Sequence, residues 1–456
     1  MNLVPRTRLL LWVSFIVLPF ALLGGVEPRV RLVSLLAIGG FLVLVAADAL
    51  ATRGRLSGIS VQLPNVVRLS RNREAPVELR LRNEHQQPLT LRLGIVWPRG
   101  IDSSQEDAFV TLPEGSEWSR LSWPCCPRRR GNFRIETVRV EAASRLGFWA
   151  IRKSLPAAAE LRVYPSLFRE RNQLAALFLH RGSFGLHAQR QVGRGRDFEK
   201  LREYIPGDGF DEIHWKATAK RGQPVTKVFQ IERTQEVYVV LDASRLSARD
   251  PAPKPGLALP GSAESPDSNT VLERFITAAL VLGLAAEQQG DLFGVLAFSN
   301  QVDTFLRARN GQAHYSACRD ALYTLQPREA TPDYDEVCTF IRLRLRRRAL
   351  ILFLTSLDDP VLAESFVRNI DLIRRQHLVL VSMIQPPGVV PLFTNPNLAT
   401  LNDLYQHLGG HLLWQKLREL EKVLQRRGIR FSLLKNERLS AELVSQYLGV
   451  KQRQLI

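Results

Sequence analysis

The sequence predicts α/β plus all-β structure in three parts: an N-terminal transmembrane helical hairpin, an antiparallel β-sandwich-like domain and a C-terminal doubly wound parallel sheet. Three observations carry this. Two long uncharged runs, Leu9–Val26 and Leu32–Ala47, open the 456-residue chain. Apolar and polar residues then alternate over short runs between positions 56 and 165. From 236 onward, β-branched apolar runs alternate with helical segments. The expected boundaries are 1–55 for the hairpin, 56–165 for the sandwich, 166–235 for a connector and 236–456 for the α/β domain.

Each apolar run is near the ~20 residues needed to cross a hydrocarbon core of ~30 Å. The connector Glu27-Pro28-Arg29-Val30-Arg31 is short, so the two runs form a hairpin. A cleaved signal peptide with Arg6 and Arg8 as its n-region is the competing reading. Against it, a second apolar run follows at once and no A-x-A site ends the first. Arg6 and Arg8 precede the first run, and Arg53, Arg55, Arg68, Arg71 and Arg73 follow the second. That bias favours both ends in the cytoplasm and a multi-pass protein of the cell inner (plasma) membrane.

With 62 Lys+Arg against 44 Asp+Glu the net charge is +18. At 45% hydrophobic and 23% charged residues a sizeable core is available, which excludes a wholly disordered chain. The positive excess suits a domain tethered at an anionic leaflet, where a basic residue contributes roughly 1 kcal/mol. No basic arm, recognition-helix signature or aromatic-interleaved basic strip occurs, so nucleic acid is not the expected partner. Cys125, Cys126, Cys318 and Cys338 are too few and too irregular for a disulfide scaffold or a zinc module and read as thiols. No Walker loop, HExxH, EF-hand or GxSxG is present.

In the β region, Val77–Arg82 and Leu89–Val96 alternate as half-buried strands do, with a polar turn at Asn83–Pro88. Further strands are expected at Phe133–Ala142 and Leu161–Val163, and Phe148 and Trp149 as core or interdomain anchors. In the C-terminal part, strands are expected at Gln235–Leu241, Leu292–Phe298, Ala349–Thr355, Leu378–Met383 and Ile429–Leu434. Thr270-x-x-Glu273 is a capping box for a helix through Ala286. Thr331-Pro332 reads as the cap and first position of a helix ending in an arginine run through Arg348, Asp359-Pro360 as the start of the next, and Leu412–Gln425 as another. Helices between parallel strands imply a doubly wound sheet, whose ligands sit at the strands' carboxyl ends.

The central stretch is the most unusual. It runs Leu201-Arg202-Glu203-Tyr204, then Pro206-Gly207-Asp208, then Ile213-His214-Trp215-Lys216 and Ala219-Lys220. Pro206–Gly209 is a turn, and Ile213–Lys220 reads as a short helix burying Trp215 and Ala219. His214 offers a general base, with Asp208 or Asp211 near it, but no nucleophile–base–orienter set accompanies it. Followed by a strand ending in Leu241-Asp242-Ala243-Ser244, this run resembles the domain of unknown function 58 family. Asp211 and Lys220 stand where arginine is usual in that family. The resemblance implies two N-terminal membrane spans, a β-rich segment and a von Willebrand factor type A-like domain. The expected function is a membrane-anchored, non-enzymatic adaptor for protein–protein contact, and the resemblance implies cooperation with a MoxR-type AAA+ ATPase in assembly or maturation of other proteins.

Type A domains often hold Mg²⁺ or Mn²⁺ in a metal-ion-dependent adhesion site. The resemblance implies Asp242, Ser244 and Thr331 as its ligands. The site is degenerate: Leu246 occupies the third position of Asp-x-Ser-x-Ser, and Thr355-Ser356 replaces the second carboxylate. Ser247 and Asp358 are the nearby substitutes. Residues 248–267 form a long Pro/Gly/Ser-rich loop beside this face, and Gln385–Asn397 another proline-bearing segment. His407-x-x-x-His411 has helical metal spacing, but Gly409 and Gly410 between them favour a turn or cap. A hydrolytic enzyme built on His214 and a purely structural scaffold are the alternative functions.

Overall fold

The computed structural model describes residues 2–168, 170, 172, 192–206, 209–210, 213–230, 235–251, 270–392 and 401–453. It divides into two compact units, one over Met1–Ser166 and one beginning at Leu167.

In the first unit, β1 (Asn2–Pro5) precedes two apolar helices, α1 (Thr7–Val26) and α2 (Pro28–Thr52). Both are long and apolar enough to cross a membrane. They extend beyond the expected runs: α1 takes in Thr7 and Arg8, and α2 takes in Arg31 and Asp48. The sandwich follows as β2 (Ile59–Gln62), β3 (Val66–Ser70), β4 (Ala75–Asn83), β5 (Leu89–Ile95), β6 (Ile101–Asp102), β7 (Ala108–Leu112), β8 (Trp118–Pro127), β9 (Gly131–Ala143) and β10 (Trp149–Tyr164). One sheet has the order β1-β10-β9-β5-β7, with β3 also on β10; the other has β2-β4-β8-β6. The pairs are antiparallel, as expected, except β3 on β10, which is parallel.

The alternation seen in sequence sets the core: Val77, Leu79 and Leu81 of β4 face Leu91 and Leu93 of β5 and the buried Trp123. The Trp123 indole donates to Ser103 Oγ at 3.0 Å, so its polar edge is satisfied inside the core. Phe148 and Trp149 are anchors as expected. Phe148 packs with Leu9, Phe41 and Val45 of the two helices, and the Trp149 indole donates to the Val45 carbonyl at 3.0 Å.

In the second unit, β11 (Val192–Glu203) and β12 (Val225–Gln230) form a two-stranded ribbon that holds α3 (Trp215–Arg221) between them in sequence. The α/β part then runs β13 (Glu236–Asp242), α4 (Val271–Gln288), β14 (Leu292–Phe298), β15 (Val302–Arg309), α5 (Gln312–Leu322), α6 (Tyr334–Arg344), β16 (Ala349–Leu354), α7 (Pro360–Asn369), β17 (Leu378–Ile384), α8 (Leu401–Arg426), β18 (Arg430–Leu434) and α9 (Leu439–Gln452). The sheet order is β15-β14-β13-β16-β17-β18, parallel apart from the antiparallel edge strand β15. The expected strands and the doubly wound arrangement are present.

The pleat divides each central strand between two cores. Val237, Val239 and Leu241 pack with α4, α5 and α9, whereas Tyr238 and Val240 pack with α6, α7 and α8. Gly294 makes room for this: a Cβ there would lie 2.5 Å from the Tyr238 ring. Asp291 ties the last helix to the base of the sheet, accepting from Lys451 Nζ at 2.8 Å and from the Tyr447 hydroxyl.

Three sequence expectations are corrected. The helix after Thr331 starts at Tyr334, because Asp333 accepts from Asp335 N and Glu336 N and is the cap; Thr331 is exposed. His407–His411 lies inside α8, not in a turn. Gly410 faces the Pro386–Val389 turn, and a Cβ would sit 2.0 Å from the Gly388 carbonyl oxygen, so the glycine serves close approach and not helix termination. Third, α3 does not bury Trp215 and Ala219: Trp215 is 67% exposed, and Ala219 is exposed too.

Candidate functional site: the sheet switch point and the central motif

The sheet's strand order reverses between β13 and β16, since β14 lies on the far side of β13. A doubly wound sheet opens its crevice at the carboxyl ends of such a pair. Asp242 ends β13 and Thr355 follows β16, so both stand at that point.

Asp242 is completely buried and its carboxylate is used internally. Oδ1 accepts from Ser244 N at 2.9 Å, and Oδ2 from Thr355 Oγ1 at 2.6 Å. The Tyr334 hydroxyl lies 2.8 Å from Thr355 Oγ1. A threonine hydroxyl has one proton, so while Asp242 is ionised the chain of donors runs from Tyr334 to Thr355 to Asp242. Burial pushes the Asp242 carboxyl above the usual carboxylate range, and the donors from Ser244 and Thr355 act against that shift. Burial, with the negative charge of Asp242 nearby, also pushes the Tyr334 phenol well above its ordinary value.

The loops around this knot are held by backbone. Arg245 N donates to the Ala330 carbonyl at 3.0 Å and Arg328 N to the Ala243 carbonyl at 2.8 Å, which brings the Thr331 loop against Ser244. Ser247 Oγ donates to the Ser244 carbonyl at 2.8 Å, so it turns back into its own loop. Leu246 is buried. At the rim, Arg249 pairs with Asp358 at 2.5 Å and Arg328 with Asp303 at 2.9 Å.

The donor set does not fit a hard dication, which takes several oxygen ligands. Both Asp242 oxygens already accept protein donors, an apolar Leu246 fills the third position, and Thr355 is a donor where a carboxylate is required. Asp358 is neutralised by Arg249. Among the described residues no group of three or more His, Cys, Asp or Glu side chains is placed to hold a metal. Burial pushes Cys125 up to about 11 and Cys318 and Cys338 to about 12, so these thiols pack rather than react at neutral pH.

The central motif folds as a separate small device. Arg202 and Glu203 on β11 pair with Thr226 and Val225 on β12, and Tyr204 N donates to the Pro224 carbonyl at 3.0 Å. Ile213, Val225 and Thr226 are buried. His214 caps α3: its Nδ1 accepts from Ala217 N at 3.0 Å, and its backbone N–H donates to the Val225 carbonyl at 2.8 Å. Gly222 closes the helix in the left-handed region. Lys216 and Lys220 are exposed along the helix, as is Pro206 before it. Gly207, Asp208 and Asp211 lie outside the described residues, as do residues 252–269 and 393–400 of the two proline-bearing segments.

Sequence reasoning missed two features here. Tyr334 completes the Asp242 network, although its only sequence signal is its place directly after a capping aspartate. The motif also exposes Ile205 at 56%, Phe210 at 75% and Trp215 at 67%. Their spacing of five residues matches no helical or strand period, so pattern reading does not group them.

Residues 200–389 match the model of the family described as "protein of unknown function DUF58". The uncharacterized protein YeaD of Bacillus subtilis is 26% identical over 155 residues, covering 32% of this chain and 37% of that protein. The chain therefore matches little more than a third of that relative's length. Among solved structures, BatB of Bacteroides thetaiotaomicron aligns with 48% of this chain and 99% of its own, at 15% identity and a TM-score of 0.29. An aerotolerance-related membrane protein of Bacteroides fragilis covers 46% of this chain and 97% of its own, at 11% identity and a TM-score of 0.27. The central motif and the switch-point strands thus lie together within residues 200–389, which form a DUF58-family domain.

Proposed function

We propose that this chain is a membrane-anchored adaptor whose DUF58 domain captures another polypeptide and performs no chemistry of its own. The observation that carries this reading is the exposure of Ile205, Phe210 and Trp215 within one short stretch of the family motif. Exposed aromatic anchors are what a docking surface needs and what a folded monomer otherwise avoids. Lys216, Lys220 and Arg221 lie beside them, so an acidic partner surface fits best. A MoxR-type AAA+ ATPase is the partner class that the family resemblance implies, acting on the assembly or maturation of other proteins.

The anchor is the α1–α2 hairpin, and the soluble parts face the cytoplasm. Support for the shared side comes from β1, which precedes α1 and pairs antiparallel with β10. The start of the chain and the sandwich are therefore on the same side of any bilayer the hairpin crosses. Seven flanking arginines, Arg6, Arg8, Arg53, Arg55, Arg68, Arg71 and Arg73, favour the cytoplasmic face.

Proximity crosslinking in native membranes, with Trp215→Ala as the comparison, tests the reading. Recovery of an ATPase by the unaltered chain and its loss in the variant are expected. Repeated recovery of nothing, or equal recovery by both, would sink it. The hydrolase alternative requires catalysis through His214 Nε2 alone, since Nδ1 caps α3. A purified chain that hydrolyses ester or peptide substrates, and stops doing so as His214→Ala, would revive it.

A further inference from the structure

The β9–β10 turn, Ser144–Phe148, packs against the far end of α2. Leu146 N donates to Asp48 Oδ1 at 3.2 Å and the Trp149 indole to the Val45 carbonyl at 3.0 Å. Phe148 meets Phe41 edge-on at 6.0 Å between ring centres. The buried side of α2 is Phe41, Val45, Asp48 and Thr52, which recur at helical spacing. This seam fixes the depth of the turn relative to the span. α2 has 25 residues, so it is roughly 37 Å long. That exceeds a hydrocarbon core of ~30 Å. Val45 lies about 10 Å from the end of the helix. The turn that grips it therefore sits at the boundary between acyl chains and headgroups.

The chemistry of the turn suits that position. Leu146 is 49% exposed at its tip. Arg145 stands beside it and is exposed. Arg8 lies across Gly147, where a Cβ would be 3.2 Å from its Nη1. Gly147 adopts φ +80, a backbone conformation that strains any residue with a side chain. Arg6 N donates to the Phe148 carbonyl at 2.9 Å, and Arg53 follows the last residue of α2. Arg6, Arg8, Arg53 and Arg145 make no ion pair among the described residues, and Asp48, the acid that touches the turn, is buried.

We propose that the β9–β10 turn is a foot that rests in the membrane interface and binds anionic phospholipid headgroups through Arg6, Arg8, Arg53 and Arg145 around Leu146. This rests on the membrane-anchor reading and extends it. The foot makes the sandwich and its anchor one rigid piece and reads the charge of the leaflet it stands on.

The test uses the full chain in nanodiscs of phosphatidylcholine alone or of equal parts phosphatidylcholine and phosphatidylglycerol. Amide hydrogen exchange is followed over Ser144–Trp149. Each arginine near an anionic surface is worth roughly a fivefold change in binding. Exchange should therefore be at least about tenfold slower in the anionic discs. Arg8→Glu with Arg145→Glu should abolish that difference, and the milder Arg8→Gln with Arg145→Gln should reduce it. Unchanged protection of Val138–Val140 would establish that the variants remain folded. Equal exchange of the unaltered chain in both lipids, or a difference that survives charge reversal, would overturn the foot. Alkaline carbonate extraction separates the two readings: a chain that stays in the membrane pellet keeps the anchor even when the foot fails, and a chain released by carbonate loses both.

Discussion

The switch point of the sheet and the central motif invert what their residues suggest. Asp242, Ser244 and Thr355 are polar and stand where such sheets bind ligands, yet they are buried and bonded to one another. Ile205, Phe210 and Trp215 are apolar and stand in the motif, yet they face solvent. A polar residue at a privileged place is not yet a site, and an aromatic residue is not yet core. Whether the partners of a group lie inside the molecule decides the difference. The knot has all its partners at home; the motif turns three apolar side chains to solvent.

The comparison breaks first at Asp242. Asp242→Ala removes the acceptor of two internal donors and leaves both buried. Each unsatisfied group costs about 1–3 kcal/mol, so a loss of about 3 kcal/mol is expected in denaturant unfolding of the detergent-solubilised chain. A loss below about 0.5 kcal/mol would mean that the knot opens to water and that the closed description is wrong. Thr355→Val keeps the shape but interrupts the relay from Tyr334, and about 1–2 kcal/mol should be lost by the same measurement. Trp215→Ala is the counterpart on the exposed side. It should change stability by no more than about 0.5 kcal/mol while partner recovery by crosslinking falls severalfold. A large stability loss would show that Trp215 packs against something in the folded chain.

A pH series sharpens the contrast between buried polar groups with and without partners. His377 is buried, and neither ring nitrogen has a hydrogen-bond partner. Burial lowers its pKa below the ordinary 6.5. The unfolded chain then takes up a proton that the folded chain refuses, so stability is full above about pH 6.5 and declines as pH falls below it. His377→Gln should flatten that decline, read as the melting temperature between pH 7.5 and 5.5. A profile identical to that of the unaltered chain would remove His377 as its cause. The smallest effect belongs to Mg²⁺. With no free oxygen set at Asp242, millimolar Mg²⁺ should leave the melting temperature unmoved within about 1 °C. A saturable rise that Asp242→Asn abolishes would reinstate a metal site.

Much of the fold is legible in the residues. The strand Leu292–Phe298 falls on its apolar run to the residue, and Asp359 caps the helix begun by Pro360. Both signals are local, because a cap or a buried strand is written in adjacent positions. The antiparallel edge strand β15 is not legible. Val302–Arg309 mixes charged and apolar residues, since one side of it lies at the sheet margin. Gly409 and Gly410 read as a helix break, yet they lie within α8, where Gly410 admits the turn at Gly388. The candidate site was half legible. Asp-x-Ser after a strand located Asp242 and Ser244, and the absent second carboxylate was plain. That Thr355 and Tyr334 close the gap requires two segments distant in sequence to meet.

The sequence by itself determined the order of parts, the apolar hairpin, the alternating sandwich strands and the family motif. These rest on periodicity and run length, which any chain carries along its own contour. Only the tertiary structure decided that Asp242 is spent on its own neighbours, that Trp215 faces outward and that Phe148 and Trp149 grip α2. Hydrogen bonding and burial are settled by which distant segments share a volume, and no single stretch of residues contains that information.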